Sequence, residues 1–147
     1  MTRMNIFTIG YTQKSAAQFF ARLERPGLVR VIDARLNNTS QLAGFTKKDD
    51  LRFFLERLLH IDYVHLPELA PTKEILGSYR GGNAGWEGYE RAFMELMRER
   101  RVGETLSKDV MAGGCLLCSE PKADRCHRRL VAEYLRSCWQ DVDIIHL

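Results

Sequence analysis

The stretch Cys118-Ser119-Glu120-Pro121-Lys122-Ala123-Asp124-Arg125-Cys126-His127-Arg128-Arg129 holds two thiols, two carboxylates, an imidazole and three guanidinium groups. Asp124 has the side chain of a helix N-cap, which would put Cys126 and His127 in the first helical turn. Free backbone N–H groups and the positive end of the dipole make such a turn a natural anion site. Arg128 and Arg129 strengthen it, because a guanidinium pairs bidentately with phosphate or carboxylate. A cysteine in that setting should be acidic and nucleophilic. One arrangement therefore supports two chemistries, anion binding and a reactive thiolate.

Zinc is the competing use of the same residues, since Cys115-x2-Cys118 followed by Cys126-His127 offers four ligands. Gly114-Cys115-Leu116-Leu117-Cys118 reads as buried strand, however. Side chains alternate along a strand, so Cys115 and Cys118 point to opposite faces. Adjacent Cys126 and His127 also share one ion poorly. No metal and no cofactor is expected, and Cys115 and Cys138 are read as small core residues.

More polar groups fall where other strands end. Asn5–Gly10 runs into Tyr11 and Thr12, Leu28–Asp33 into Ala34 and Arg35, and Asp62–Leu66 contains His65. In open parallel sheets ligands bind beyond the carboxyl ends of strands. The expected catalytic set is Cys126, Cys118, Glu120, His127 and Asp33. The expected anion-binding set is Arg35, Arg128, Arg129 and Tyr11. Asp33 and Arg35 can equally form an internal ion pair. His60 reads as a helix end, His146 as a sheet residue, and Trp86 and Tyr89 as packing groups. Arg98, Arg100 and Arg101 read as a solvated helix terminus.

The elements that must position these groups alternate along the chain. Ser15 can cap a helix carrying Phe19, Phe20 and Leu23, stopped by Pro26-Gly27. Lys47 to His60 places Leu51, Phe54, Leu55, Leu58 and Leu59 at helical spacing. Pro67 to Trp86 reads as irregular, a functional lid or a plain surface connection. Glu87 to Arg101 is a helix, Leu106 to Met111 a further turn, Gly114–Cys118 a strand, Cys126 to Ser137 a helix and Val142–His146 a last strand. This alternation predicts a single three-layer α/β domain over residues 1–147, with a mostly parallel sheet of about five strands and helices on both faces.

The chain has 147 residues, a net charge of +3, 45% apolar and 28% charged residues. That is ordinary globular composition. The charge excess is too small and too dispersed for a broad nucleic-acid face. No membrane-length apolar run and no secretory signal is seen, so a cytoplasmic protein with reduced thiols is expected.

Together these pieces resemble the DUF488 family of uncharacterised small bacterial and archaeal proteins. The matching residues are Thr8-Ile9-Gly10-Tyr11, Asp33-Ala34-Arg35, Ser40 and Phe45, and Tyr63-Val64-His65-Leu66-Pro67-Glu68-Leu69. They continue with Leu116-Leu117-Cys118-Ser119-Glu120 and Cys126-His127-Arg128-Arg129. The resemblance implies an α/β fold with those residues at one site, and it brings no activity. Asn37-Asn38 and Ala70-Pro71 depart from the proline and glycine common in the family, both in loops beside the site.

Three function classes remain open. The first is binding of, or action on, a phosphate-bearing ligand, a nucleotide or nucleic acid. The second is a redox or rhodanese-like thiol enzyme, since rhodaneses also join a strand-end D-x-R to a cysteine between strand and helix. Against that one, the loop Ser119–Arg125 contains no glycine for a tight anion cradle. The third is a non-catalytic module for a small ligand or nucleic acid. The residues do not indicate an oligomeric state.

Overall fold

The computed structural model describes residues 3–39, 44–82, 85–120 and 122–147. Five strands form one all-parallel sheet: β1 (Met4–Gly10), β2 (Arg30–Asp33), β3 (Asp62–His65), β4 (Gly114–Cys118) and β5 (Val142–His146). Their order is β3-β2-β4-β1-β5. Parallel neighbours need long crossovers, and helices supply them. These are α1 (Ala16–Leu23), α2 (Lys48–Phe54), α3 (Lys73–Arg80), α4 (Trp86–Arg100), α5 (Val102–Thr105), α6 (Lys108–Met111) and α7 (His127–Trp139). The expected three-layer α/β arrangement is what forms.

Strand alternation builds two cores. Ile6, Ile32 and Leu116 face α4 and α7, where Phe93, Met97, Leu130, Val131 and Leu135 meet them. Phe7, Ile9, Val31, Cys115 and Leu117 face the other way, onto Phe19 and Leu23 of α1 and Leu51 and Leu55 of the α2 segment. Both faces of the sheet are thus apolar, as a doubly covered parallel sheet requires. The central strand β4 is buried along its whole length. A charge in its middle would have no solvated side to turn to.

Local sequence fixes the helix ends. Ser15 and Gln18 form a reciprocal capping box, Gln18 N donating to Ser15 Oγ at 3.1 Å and Ser15 N to Gln18 Oε1 at 2.9 Å. The helix expected from Lys47 to His60 is α-helical only to Phe54. Leu55–Leu59 then widens into a π-type turn, and His60 ends it in the left-handed region (φ 56°). The second strand is shorter than expected, because Gly27 turns at φ 85° and Val29 already bonds to the Gly113 carbonyl.

The largest difference lies in the stretch expected to be irregular. Pro67–Leu69 forms a 3-10 turn and Lys73–Arg80 a helix, with Thr72 Oγ1 accepting from Ile75 N at 3.1 Å. Ile75, Leu76 and Tyr79 give that helix an apolar stripe that packs on the α4 side of the core. Gly77 and the charged residues around it obscure the pattern in sequence. No helix among the described residues is long and apolar enough to cross a membrane.

Candidate functional site

The register brings the polar residues to one edge. Gly10 lies opposite Cys118, and Asp33 lies opposite both Leu117 and His65. Above this carboxyl edge opens a cleft of about 1100 Å³. That is ample for a ligand of nucleotide size, given typical pockets of roughly 300–1,000 Å³. Tyr11, Arg35, Cys118, Ser119, Glu120, Arg125, Cys126 and His127 line it from the sheet side. Lys73, Leu76, Tyr79 and Arg80 of α3, with Trp86 and Tyr89 of α4, form the opposite wall, and Asn37 and Asn38 lie at its margin.

Asp33 does not open onto this cleft. Its side chain is fully buried, and Arg35 clamps it through Nε–Oδ1 and Nη2–Oδ2 bonds of 2.8 Å each. The Arg35 backbone N–H (3.1 Å), Tyr63 O–H (2.5 Å) and Asn38 Nδ2 (3.3 Å) also donate to it. Burial alone would raise its pKa, but the Arg35 and Tyr63 bonds outweigh that and hold it below the usual carboxylate value. The alternative of an internal Asp33–Arg35 pair is therefore the one that forms. Arg35 also donates to the Thr46 carbonyl at 2.7 Å, and its guanidinium carbon lies 5.6 Å from the centroid of the Tyr11 ring. Its Nη1 is buried with no hydrogen-bond partner among the described residues.

Arg128 is likewise interior, only 1% exposed. Its Nε donates to Thr8 Oγ1 at 3.3 Å, and its Nη1 to Cys118 Sγ at 2.9 Å and to the Glu120 carbonyl at 2.7 Å. Thr8 Oγ1 in turn meets His146 Nδ1 at 2.6 Å. With Thr8 accepting from Arg128, its hydroxyl hydrogen is available to donate to His146. Burial and the nearby Arg128 charge both lower the His146 pKa, in keeping with an accepting, neutral ring. Gly10 makes room for the arrangement, because a Cβ there would overlap the Glu120 carbonyl and crowd Arg128 Nη1. Burial draws the Arg128 pKa down to about 10, so the group remains a cation at neutral pH.

Helix α7 begins later than expected. Its N-cap is Cys126, not Asp124, and His127 is the first helical residue. Cys126 N bonds to the Ala123 carbonyl, so a short turn precedes the helix and supplies the entry that an Asp124 cap would have made. His127 Nε2 lies 2.7 Å from the Ala34 carbonyl oxygen, which places the ring proton on Nε2. Burial pushes its pKa down to about 4, so the imidazole is neutral. Arg129 turns aside, pairing with Glu133 (3.1 Å) and lying over the Trp86 ring.

Cys118 and Cys126 are joined through their sulfurs as a disulfide, whereas Cys115 and Cys138 are free. The expectation of four reduced thiols is corrected for this pair, which spacing alone did not bring together. Cys138 is also exposed rather than a core residue, because it lies in the last turn of α7. Cys115 lies on the opposite face of the sheet, where burial pushes its thiol pKa far up. The four-residue zinc set therefore does not gather. Donor atoms of Cys118, Cys126 and His127 lie within 4.8 Å of one another. A cation there would sit beside the Arg128 guanidinium, an unfavourable neighbour.

Of the expected residues, Tyr11, Arg35, Cys118, Glu120, Cys126 and His127 meet on the cleft, while Asp33, Arg128 and Arg129 are engaged within the fold. The sequence reading missed Lys73 and Arg80, since it gave their segment no helix. Ser40 lies outside the described residues.

Fold and site define a doubly covered parallel α/β domain with a basic cleft and a sulfur pair at its sheet edge. Residues 15–135 match the family described as "Domain of unknown function DUF488", and the chain belongs to that family. No curated protein and no solved structure matches it.

Proposed function

We propose that the protein binds a phosphate-bearing small molecule of nucleotide size in this cleft. The supporting observation is the charge of its lining. Arg35 is matched by Asp33, whereas Lys73, Arg80 and Arg125 stand against a single acid among the described lining residues, Glu120. None of Lys73, Arg80 and Arg125 makes an ion pair with a described carboxylate. Cations gathered in a concave site and left without acidic partners favour an anionic ligand. Tyr79 and Trp86, backed by buried Tyr89, supply flat apolar surface on the facing wall, suited to a ring system attached to the phosphate. Arg35, held rigid and compensated by Asp33, contributes a fixed wall more than charge.

Depth favours a small molecule over a duplex, since these cations line a cleft and not a broad outer face. If the ligand is transformed, Glu120 is the carboxylate on the cleft able to exchange a proton, with neutral His127 and the sulfur pair beside it. Calorimetric titration with ADP and with adenosine tests the binding reading. ADP should bind and adenosine should bind far more weakly. Arg80→Ala and Arg125→Ala should each weaken ADP about tenfold, as for the loss of one charge-assisted contact of about 1.5 kcal/mol. Affinity should also fall as salt rises. Equal binding of ADP and adenosine, or no effect of either substitution, would refute it.

A further inference from the structure

A buried guanidinium normally has an acid beside it, because an uncompensated buried charge is costly. Arg128 has none among the described residues. Its three partners are a hydroxyl, a backbone carbonyl and Cys118 Sγ. The one partner able to become an anion is Cys118, once its bond to Cys126 is open. Both cysteines line the floor of the cleft, Cys118 1% and Cys126 2% exposed, so a substrate must press against that floor to meet them.

We propose that Cys118 and Cys126 form a redox-active dithiol–disulfide couple, with Arg128 holding Cys118 as a thiolate, acting on acidic low-molecular-weight disulfides that enter the cleft. The acidic character of the substrate rests on the charge argument for the cleft; the redox couple itself does not.

The exchange balances as follows. In the reduced protein the Cys118 thiolate attacks one sulfur of the substrate disulfide. A mixed disulfide forms, and the other substrate sulfur leaves as a thiolate that takes a proton from solvent. Cys126 then gives up its proton and attacks Cys118 Sγ, expelling the second substrate thiol. Two electrons pass from the cysteine pair to the substrate, leaving two thiols and the Cys118–Cys126 disulfide. A dithiol reductant reverses the protein's half of the cycle.

The Cys126 proton passes to solvent in the cleft; His127, beside both sulfurs, is kept neutral by burial and adds no charge to the pair. The other charged or titratable groups around the pair are Glu120 and Arg125 from the loop, Arg35 after β2, Tyr11 from the end of β1, Lys14 before α1, His146 of β5 behind Thr8, and Cys115 of β4 on the far side of Arg128. Glu120 is exposed, so its opposing charge is screened, whereas Arg128 touches the sulfur directly. Because Arg128 favours the thiolate, it favours the reduced form and makes the disulfide the more oxidising partner.

The test uses the full chain equilibrated in glutathione buffers of graded ratio, with peptide mapping of the disulfide and thiolate absorbance followed against pH. A reversible Cys118–Cys126 linkage and a thiol pKa clearly below ~8.5 are expected. That low-pKa thiol should persist in Cys126→Ser and vanish in Cys118→Ser. Arg128→Lys should keep most of the shift. Arg128→Met, where it folds, should slow exchange at pH 7 about tenfold and move the pH profile upward, as for a positioning residue. Glutathione disulfide should react faster than neutral hydroxyethyl disulfide, by a margin that shrinks with salt.

No Cys118–Cys126 linkage at any ratio, an ordinary pKa for Cys118, or stoichiometric zinc in the purified protein would overturn the couple. Equal rates for the two disulfides would overturn the substrate class. Exchange that proceeds while ADP fails to bind would remove the phosphate reading and leave the redox couple standing.

Discussion

Replacing Asp33 by Asn removes one half of a fully buried ion pair while preserving volume and most of the donors around it. Asp33 is 0% exposed and Arg35 4% exposed, so water cannot take over the lost charge. Breaking a buried pair by deleting one partner costs about 3–5 kcal/mol, because the other charge is left uncompensated. Domains are stable by only about 5–15 kcal/mol, so a large part of the total is at stake. For a chain of this length the loss corresponds to a fall in Tm of roughly 6–20 °C. Urea denaturation, followed by both circular dichroism and tryptophan fluorescence, measures it. The pair also predicts a pH dependence. Asp33 has a lowered pKa when folded, so its stabilisation is present above the unfolded value near ~3.9 and is lost as pH falls through the folded value. Asp33→Asn should flatten that acid limb. Asp33→Asn/Arg35→Met should be less destabilised than Asp33→Asn alone, since no orphan charge remains. A loss below about 1 kcal/mol for Asp33→Asn, or an unchanged acid limb, would refute the claim that this pair is buried and ionised.

Gly10→Ala should lower stability by about 1–3 kcal/mol, read as a shift in denaturation midpoint, because the new methyl meets the Glu120 carbonyl in a filled space. His127 should remain neutral in the folded protein down to about pH 4, visible as ring shifts that stay constant from pH 8 to 5. Its depressed pKa means the unfolded chain binds the extra proton first. Its contribution is therefore full above ~6.5 and lost progressively as pH falls toward about 4. Iodoacetamide should label exposed Cys138 rapidly and leave buried Cys115 unmodified in the native protein, as mass spectrometry would show.

The layers were legible in sequence because strand and helix periods differ clearly in segments such as Asn5–Gly10 and Leu51–Leu59. The parity argument for Cys115 and Cys118 also carried through to opposite faces of the sheet. Helix α3 was hidden, since Gly77 and three charges, Lys73, Glu74 and Arg80, blur its stripe, and only Thr72 marks its start. With it went Lys73 and Arg80. The fate of each arginine was not legible either. Arg128 and Arg129 are neighbours in sequence, yet one fills the interior behind Cys118 and the other lies over Trp86. Which of them is buried depends on how α7 rotates against the sheet, a tertiary property that local spacing does not encode. The meeting of Cys118 with Cys126 depends in the same way on where the helix begins.

The most direct test of the cleft as a phosphate site is an amide shift map of uniformly labelled protein titrated with ADP. Saturable shifts confined to residues 11, 35–39, 73–80, 85–89 and 118–127, reversed by added salt, are predicted. Shifts scattered over the surface, or none at millimolar ADP, would contradict the account.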